Sequence, residues 1–354
     1  MLRRTAYVLL AALALAACNT TDTLGPGPNP ITPPPVNFTQ AIPLIDLVRD
    51  DGVANTYYGF EGGLYLGSND APDAHAAFGA DAARQIQPLN GQGNPDPNGA
   101  IGLMSISMSN ATQEWCHGAS TGAPNDTPCH SWTFMGKAAN DPSLNDDLVI
   151  VNGARGGQAL DRWDNPDDAE YRRIEEQVLP AYGLTESQIQ IVWVKAALPN
   201  EPSRDSLGSP TPNDADAYAL EATIGNVVRA LQQRYPKLQQ VFFTSRIYGG
   251  YANPNTNSPE PWAYETGFGT KWAIEAQITQ RATGQVDAQT GNLSGTPFMA
   301  WGPYLWAVWP ESYFEGDGIH PNRDGEERVA DALIAFFKTS ALTRCWFVEG
   351  LTCS

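Results

Sequence analysis

Short apolar runs alternate along this chain with longer stretches in which apolar residues recur at helical spacing. The short runs predict buried strands at residues 100–107, 147–152, 189–198, 240–245 and, more weakly, 297–301. Helical patterns lie between them, near 169–182 and over 214–235 and 271–282. Because strands that alternate with helices form parallel sheets covered on both faces, this order predicts an α/β fold. Ligands of such folds bind outside the carboxyl ends of the strands.

A further helical pattern near the C-terminus follows a tight Gly-rich loop. Asn322 is a suitable N-cap, and five apolar residues then recur on one face: Val329, Ala332, Leu333, Phe336 and Phe337. The loop contains Asp317, which has a glycine on either side, and His320. An Asp three residues before a His can accept a hydrogen bond from one ring nitrogen and leave the other as a base. The alternative is a helix-capping loop with a surface histidine.

Residues with catalytic chemistry follow the first three predicted strands. Ser109 follows the first strand and opens a helix, where its hydroxyl is exposed and backbone N–H groups can face a developing oxyanion. Gly156 and Gly157 follow the second strand, and Asn200 follows the third. Two of these residues also have a structural interpretation, Ser109 as a helix cap and Asn200 as an ordinary loop residue.

Three polar residues near the strand ends are candidates for substrate binding. Arg155 and Gln158 flank the glycine pair, and Arg246 follows the fourth predicted strand. Arg155 is either a surface charge or a residue of the cleft. Arg246 either pairs with Glu265 or binds a substrate carboxylate, and the pattern favours the pair. The aromatic residues after the fifth strand predict core or loop packing, with stacking on sugar rings as the alternative: Trp301, Tyr304, Trp306 and Trp309.

The first residues predict an export signal rather than part of the fold. Arg3 and Arg4 precede an apolar run that ends near residue 17 and is too short for a stop-transfer helix. Small residues before Cys18 are typical of bacterial lipoproteins, in which the cysteine is lipidated and becomes the mature N-terminus. The alternative is an ordinary secretory signal at 1–17 with an incidental Cys18. Asn19, rather than Asp, favours anchoring in the outer membrane of the cell envelope.

The rest of the chain predicts a tether and one acidic domain. Residues 18–40 are rich in Pro, Gly and Thr and cannot bury a core, so they predict an extended tether to a domain at 41–354. The formal charge is −18, and it falls to −20 without the two arginines of the signal. Because this charge repels nucleic acid, nucleic-acid binding is not expected.

Four cysteines remain after Cys18, and an exported protein is expected to pair them. Short loops favour Cys116–Cys129 and Cys345–Cys353 among the three pairings that four cysteines allow. A zinc site is the alternative for the first pair, since a histidine follows each of its cysteines. The oxidising compartment favours the disulfides, and neither a metal nor an organic cofactor is expected.

Taken in order, the Ser, Gly, Asn and Asp-x-x-His segments resemble the SGNH, or GDSL-type, hydrolase superfamily. The resemblance covers nearly the whole domain from about residue 98, and it extends to a bacterial lipoprotein branch through the segments 62–65, 108–110, 245–251 and 260–265. It implies a three-layer α/β/α sandwich with a mainly parallel, roughly five-stranded, flavodoxin-like sheet.

The resemblance also implies a role for each matched residue. Ser109 matches the nucleophile, and Asp317 and His320 complete the triad. Gly157 and Asn200 match the oxyanion glycine and asparagine, which act beside the backbone amide of Ser109. The usual Gly-Asp-Ser is here Ser-Met-Ser, and the usual Gly-x-Asn-Asp is Leu-Pro-Asn-Glu. The turn before the nucleophile therefore lacks its usual acid.

These matches predict an exported serine esterase. Ser109 would attack an ester carbonyl and form an acyl-enzyme, with an acyl group on a carbohydrate as one substrate class. The altered turn before Ser109 leaves a second interpretation, a surface lipoprotein that binds carbohydrate without catalysis on the same fold. Contact between Ser109 and His320 would favour the enzyme.

Overall fold

The computed structural model describes residues 37–48, 55–118, 128–199, 205–210, 212–253 and 259–353. The predicted signal at 1–17, the lipidation site Cys18, most of the tether at 18–40 and Asn200 lie outside these residues. Those assignments therefore stay predictions, as does the start of the domain at residue 41. None of the described helices is long and apolar enough to span a bilayer.

A small hairpin precedes the main sheet, and its strands are β1 (Thr56–Tyr57) and β2 (Phe60–Glu61). The main sheet consists of β3 (Ile101–Ile106), β4 (Leu148–Asn152), β5 (Ile189–Lys195), β6 (Gln240–Thr244) and β7 (Phe298–Trp301). Its order is β4-β3-β5-β6-β7, and all neighbours are parallel. Every residue of β3, β5, β6 and β7 is buried, so both faces are covered. This flavodoxin-like order confirms the predicted α/β class.

The described α-helices are α1 (Asp73–Arg84), α2 (Ser109–Cys116), α3 (Phe134–Ala138), α4 (Ala169–Arg173), α5 (Leu179–Ala181), α6 (Asp216–Arg234), α7 (Trp262–Thr283), α8 (Arg323–Thr339) and α9 (Arg344–Phe347). A π-helical turn over Ile174–Val178 joins α4 to α5. Helix α6 packs along α7, whereas α2, α3 and α8 pack together. Asn322 caps α8 as predicted, because its side chain accepts hydrogen bonds from two backbone N–H groups of the first turn.

Helix α7 is longer than its predicted pattern. The pattern at 271–282 covers only the second half of the helix, which begins at Trp262. Seven consecutive residues from Ala263 to Gly269 are buried, so no polar face reveals the helical period there. The tryptophans at the end of β7 and in the loop after it are buried as well: Trp301, Trp306 and Trp309. These three side chains therefore pack in the core, as the sequence predicted.

Helix α2 is fixed to the sheet through one tryptophan. The ring of Trp115 stacks on Trp193 of β5, with centroids 5.1 Å apart and planes at 9°. Its Nε1–H donates to the carbonyl oxygen of Val151 in β4 at 3.0 Å. Because Trp115 lies within two turns of Ser109, this packing holds the first turn of the helix at the carboxyl edge of the sheet.

Both predicted disulfides are present. Cys116–Cys129 closes the loop after α2, and Cys345–Cys353 ties Cys353 back to α9. The first pair therefore has no free thiolate for a metal, which removes the zinc interpretation. Closing loops of this length contributes about 2–3 kcal/mol each to the free energy of unfolding.

Candidate active site

Ser109, His320 and Asp317 form a continuous hydrogen-bonded chain at the carboxyl edge of the sheet. The Oγ atom of Ser109 lies 2.7 Å from Nε2 of His320. On the other side of the ring, Nδ1 of His320 lies 2.6 Å from Oδ2 of Asp317. With Nδ1–H donating to the carboxylate, Nε2 is left to accept the hydroxyl proton of Ser109.

The loop that carries His320 is shaped by Asp317. Its Oδ1 accepts hydrogen bonds from the backbone N–H groups of Ile319 at 2.9 Å and His320 at 3.0 Å. Gly318 adopts φ +69° and passes so close to the carbonyl oxygen of Tyr251 that a Cβ would lie 2.2 Å from it. Partial burial raises the pKa of Asp317, but the hydrogen bonds from His320 and Ile319 outweigh it and lower the pKa to about 2. Asp317 is therefore a carboxylate at neutral pH.

Ser109 follows a sharp turn at the end of β3. Ser107 adopts φ +106°, a region that residues with a side chain rarely occupy, and its carbonyl oxygen accepts the N–H of Arg155 at 2.9 Å. Met108 is extended and is the N-cap of α2. The N–H of Ser109 lies in the first turn of the helix, where no helical carbonyl is available to it. This amide is suitably placed to donate to an oxyanion.

Ser109 and His320 line a cavity of about 400 Å³. Its other lining residues are Met108, Asn110, Gly157, Ala159, Leu198, Pro199, Arg246 and Ile319. The structure thus brings the predicted oxyanion residue Gly157 and the predicted substrate residue Arg246 to the same cavity as the triad. A larger cavity of about 730 Å³ lies beside the edge strand β4, but it contains none of the predicted site residues.

Arg155 and Gln158 do not line this cavity. Nη1 of Arg155 lies 3.1 Å from Oε1 of Glu170, and 58% of the arginine side chain is exposed. The surface-charge interpretation therefore describes Arg155, because its position beside the glycine pair does not determine the direction of its long side chain. Gln158 is half-buried, and its carbonyl oxygen accepts the Nε1–H of Trp163 at 3.0 Å.

Arg246 is buried, lines the same cavity as Ser109 and does not pair with Glu265. Its Nη1 donates to Oδ1 of Asn110 at 3.0 Å. Glu265 instead accepts hydrogen bonds from the hydroxyl of Tyr57 at 2.8 Å and from the N–H of Leu207 at 2.9 Å. The favoured structural interpretation of Arg246 is therefore wrong, and the donors to Glu265 are Tyr57 and Leu207 instead.

Asn110 is a site residue that the sequence did not reveal. It is fully buried, and its Nδ2 donates to the carbonyl oxygen of Ile319 at 3.1 Å while its Oδ1 accepts from Arg246. Asn110 directly follows Ser109, and Ile319 directly precedes His320. This one side chain therefore ties the start of the nucleophile helix to the histidine loop, and no pattern in the sequence links residues so far apart.

A buried ion pair lies one turn further along α2. Nζ of Lys195, the last residue of β5, bonds to Oε1 of Glu114, and both side chains are fully buried. Burial raises the pKa of Glu114 and lowers the pKa of Lys195 to about 8. The attraction between the two charges opposes both shifts but is the smaller effect. Removing either partner would leave an uncompensated buried charge. The pair therefore holds α2 against the sheet below the candidate site.

Several solved structures resemble this chain at low sequence identity. An acetylxylan esterase from Geobacillus stearothermophilus is 12% identical, with 69% of this chain and 96% of that chain covered and a TM-score of 0.39. A salicylyl-acyltransferase from a tetracycline biosynthetic pathway is 14% identical, with 68% and 54% covered and a TM-score of 0.36. A GDSL-like lipase from Parabacteroides merdae is 11% identical, with 66% and 94% covered and a TM-score of 0.34.

No family model matches the chain, and no curated protein matches it either. The neighbours with known structures include esterases and a GDSL-like lipase. At such identities and TM-scores the likeness fixes neither an activity nor a substrate for this chain, since one fold supports many functions.

Proposed function

We propose that this chain is a serine esterase of the SGNH type. The observation that supports the proposal most directly is the contact between Oγ of Ser109 and Nε2 of His320 at 2.7 Å. Asp317 on the other ring nitrogen completes the set of groups that acyl transfer uses. The order of the Ser, Gly, Asn and Asp-x-x-His segments along the chain supports the same superfamily.

In the proposed reaction, His320 accepts the hydroxyl proton of Ser109 while Oγ attacks the ester carbonyl. The histidine then donates this proton to the leaving alcohol, and the acyl group stays on Ser109. The N–H groups of Ser109 and Gly157 would bind the oxyanion, with Asn200 as the third donor that the resemblance implies. A water molecule, deprotonated by His320, hydrolyses the acyl-enzyme and frees the serine.

The cavity supports a short acyl group on the substrate. Its volume is about 400 Å³, and Ala159, Leu198 and Pro199 contribute apolar surface to it. A cavity of this size holds a small acyl group and a few atoms of the alcohol. An acetylated or otherwise acylated carbohydrate outside the cell is the proposed substrate class. The two disulfides support an exported protein, and lipid attachment at Cys18 is part of the same proposal.

A screen of short-chain aryl esters and acetylated sugars tests the proposal with three proteins. The wild type should hydrolyse at least one of these esters, and a fluorophosphonate should label it. Ser109→Ala should lose both properties, whereas Ser312→Ala, at an exposed serine outside the cavity, should retain both. Hydrolysis that survives undiminished in Ser109→Ala would overturn the mechanism. A folded wild type with no hydrolysis and no labelling would favour the binding protein.

A further inference from the structure

We infer that the candidate active site takes esters that carry a carboxylate group, and that Arg246 binds this group. The inference rests on the proposed esterase function and names the chemical class of its substrate. It starts from Arg246 itself, a residue that is only 3% exposed and lines the cavity that contains Ser109 and His320. A buried cation at this position needs an anionic partner.

Arg246 has no such partner among the described residues, since no carboxylate lies within 4.0 Å of its nitrogens. Its Nη1 donates to a neutral amide oxygen of Asn110 at 3.0 Å and lies 3.7 Å from Sδ of Met108. Its Nε is buried and has no acceptor. Because removing an unpaired charge from water is costly, buried arginines normally face a carboxylate or phosphate. The guanidinium therefore has an unsatisfied donor in a side chain that lines the cavity.

The three carboxylates that attract Arg246 electrostatically are Glu114, Glu260 and Asp317, and each is engaged elsewhere. Glu114 pairs with Lys195, and its second oxygen is buried without a hydrogen bond. Asp317 holds the ring of His320. Glu260 accepts two backbone N–H groups and the Nε1–H of a tryptophan, all at 2.8–2.9 Å. Glu260 and Asp317 cannot turn towards Arg246 without breaking these contacts, and no described carboxylate lies within 4.0 Å of the guanidinium. A carboxylate on the substrate would supply this direct counter-charge.

The setting also explains why this contact can select a substrate. Ile319, Leu198 and Pro199 line the same cavity. Their apolar surface lowers the local dielectric constant, so a charge pair in the cavity is stronger than the same pair in water. The chain as a whole carries a formal charge of −18 and therefore repels anions at long range. A preference for anionic esters would have to come from the cavity itself. Added salt screens the long-range repulsion more than the buried contact, so it should not abolish the preference.

A matched pair of substrates measures this preference directly. The half-ester p-nitrophenyl hemisuccinate carries a carboxylate, and p-nitrophenyl methyl succinate has the same acyl chain without the charge. After correction for spontaneous hydrolysis, kcat/KM of the wild type should be about 10- to 100-fold higher for the half-ester. The ratio should fall towards one in Arg246→Gln and to an intermediate value in Arg246→Lys. It should stay unchanged in Arg155→Gln, which removes an arginine outside the cavity.

Two results would overturn the inference. One is a wild type that hydrolyses both esters equally well, a test that needs no variant and therefore no assumption about folding. The other is an equal loss of kcat for both esters in folded Arg246→Gln, because the guanidinium would then act on the reacting oxygen rather than on a carboxylate.

A binding measurement separates this inference from the esterase proposal. Calorimetry with Ser109→Ala should detect binding of monomethyl succinate but not of dimethyl succinate, and adding Arg246→Gln should weaken that binding at least tenfold. If the wild type hydrolyses no ester but this selective binding is found, the esterase proposal fails and the anion site stands. If esters are hydrolysed but Ser109→Ala binds neither compound and the wild type shows no preference, the anion site fails alone.

Discussion

Two loops meet at the candidate site, and they obtain their partners in different ways. In the loop that carries His320, the side chain of Asp317 accepts hydrogen bonds from Ile319 and His320, which lie within three positions of it. In the loop after β6, the guanidinium of Arg246 contacts Asn110 and Met108, which are 136 and 138 positions away. The Asp317–His320 pair is therefore a local feature of the sequence, whereas the contacts around Ser109 form only in the folded chain.

The largest effects on the rate should come from Ser109 and His320, whose side chains meet at the candidate site. Ser109→Ala or His320→Ala alone should lower kcat by about 10⁴- to 10⁶-fold on an ester that the wild type hydrolyses. The double variant should lose little more, because the serine and its base act as one unit. Steady-state rates for the three variants check this, with circular dichroism to show that each is folded. Losses that multiply in the double variant would contradict a shared role.

Asp317→Asn should lower kcat by up to about 10⁴-fold. The amide oxygen can still accept the backbone N–H groups of Ile319 and His320, so the loop should keep its shape, but it cannot also accept Nδ1–H of the ring in the same way. An unchanged Tm together with a large loss of rate would show that Asp317 orients the ring of His320 and is not needed for folding. A loss of less than tenfold would show that the carboxylate is dispensable.

The pH dependence of the rate sharpens the same prediction. Because the pKa of Asp317 is lowered to about 2, this residue stays charged well below neutral pH. Asp317 should therefore keep its carboxylate, and its hold on the ring of His320, when the assay is acidified from neutral pH. In Asp317→Asn the loss of rate should persist at every pH at which the wild type is active, because an amide does not regain a carboxylate when the pH is raised. A rate that recovers at high pH would contradict this role of Asp317.

The contrast between the loops also explains what the sequence could predict. Asp317 and His320 are recognisable because a tight Gly-containing loop places residues three positions apart on one side. The parallel sheet is recognisable because its strands are short, apolar and separated by helical patterns. The partner of Arg246 is not recognisable, because a charged residue gives no sign of which distant group it will meet. The sequence favoured Glu265 as the partner of Arg246, but Tyr57 and Leu207 donate to that carboxylate instead.

A substitution of Asn110 tests how much its contacts with Ile319 and Arg246 contribute to the rate. Asn110→Ala leaves the carbonyl oxygen of Ile319 and Nη1 of Arg246 without their partner. The free energy of unfolding should fall by about 1–3 kcal/mol. We also expect kcat to fall by about 10- to 100-fold, because the distance between Ser109 and His320 is no longer fixed.

The matched control is Asn140→Ala, which removes a side-chain bond to the carbonyl oxygen of Gly136 in α3, away from the triad. It should change stability slightly and kcat not at all. If Asn110→Ala loses stability but keeps the wild-type kcat, then Asn110 only supports the fold. If both values are unchanged, the link between the nucleophile helix and the histidine loop has no energetic weight.

The smallest expected effect lies in the local backbone before the nucleophile. Ser107 has φ +106° and a buried hydroxyl with no partner among the described residues, and it stands where the resembled superfamily has a glycine. A non-glycine residue in such a region costs about 1–3 kcal/mol. Glycine adopts it without strain, although its freedom in the unfolded chain costs about 0.5–1 kcal/mol. Ser107→Gly should therefore stabilise the protein by about 1 kcal/mol, or about 2 °C in Tm.

Ser107→Ala is the control, because it removes the hydroxyl but keeps the strained backbone. Its gain in Tm should be smaller. A Tm that falls in Ser107→Gly but rises in Ser107→Ala would show that the hydroxyl, and not the backbone of the turn, carries the cost.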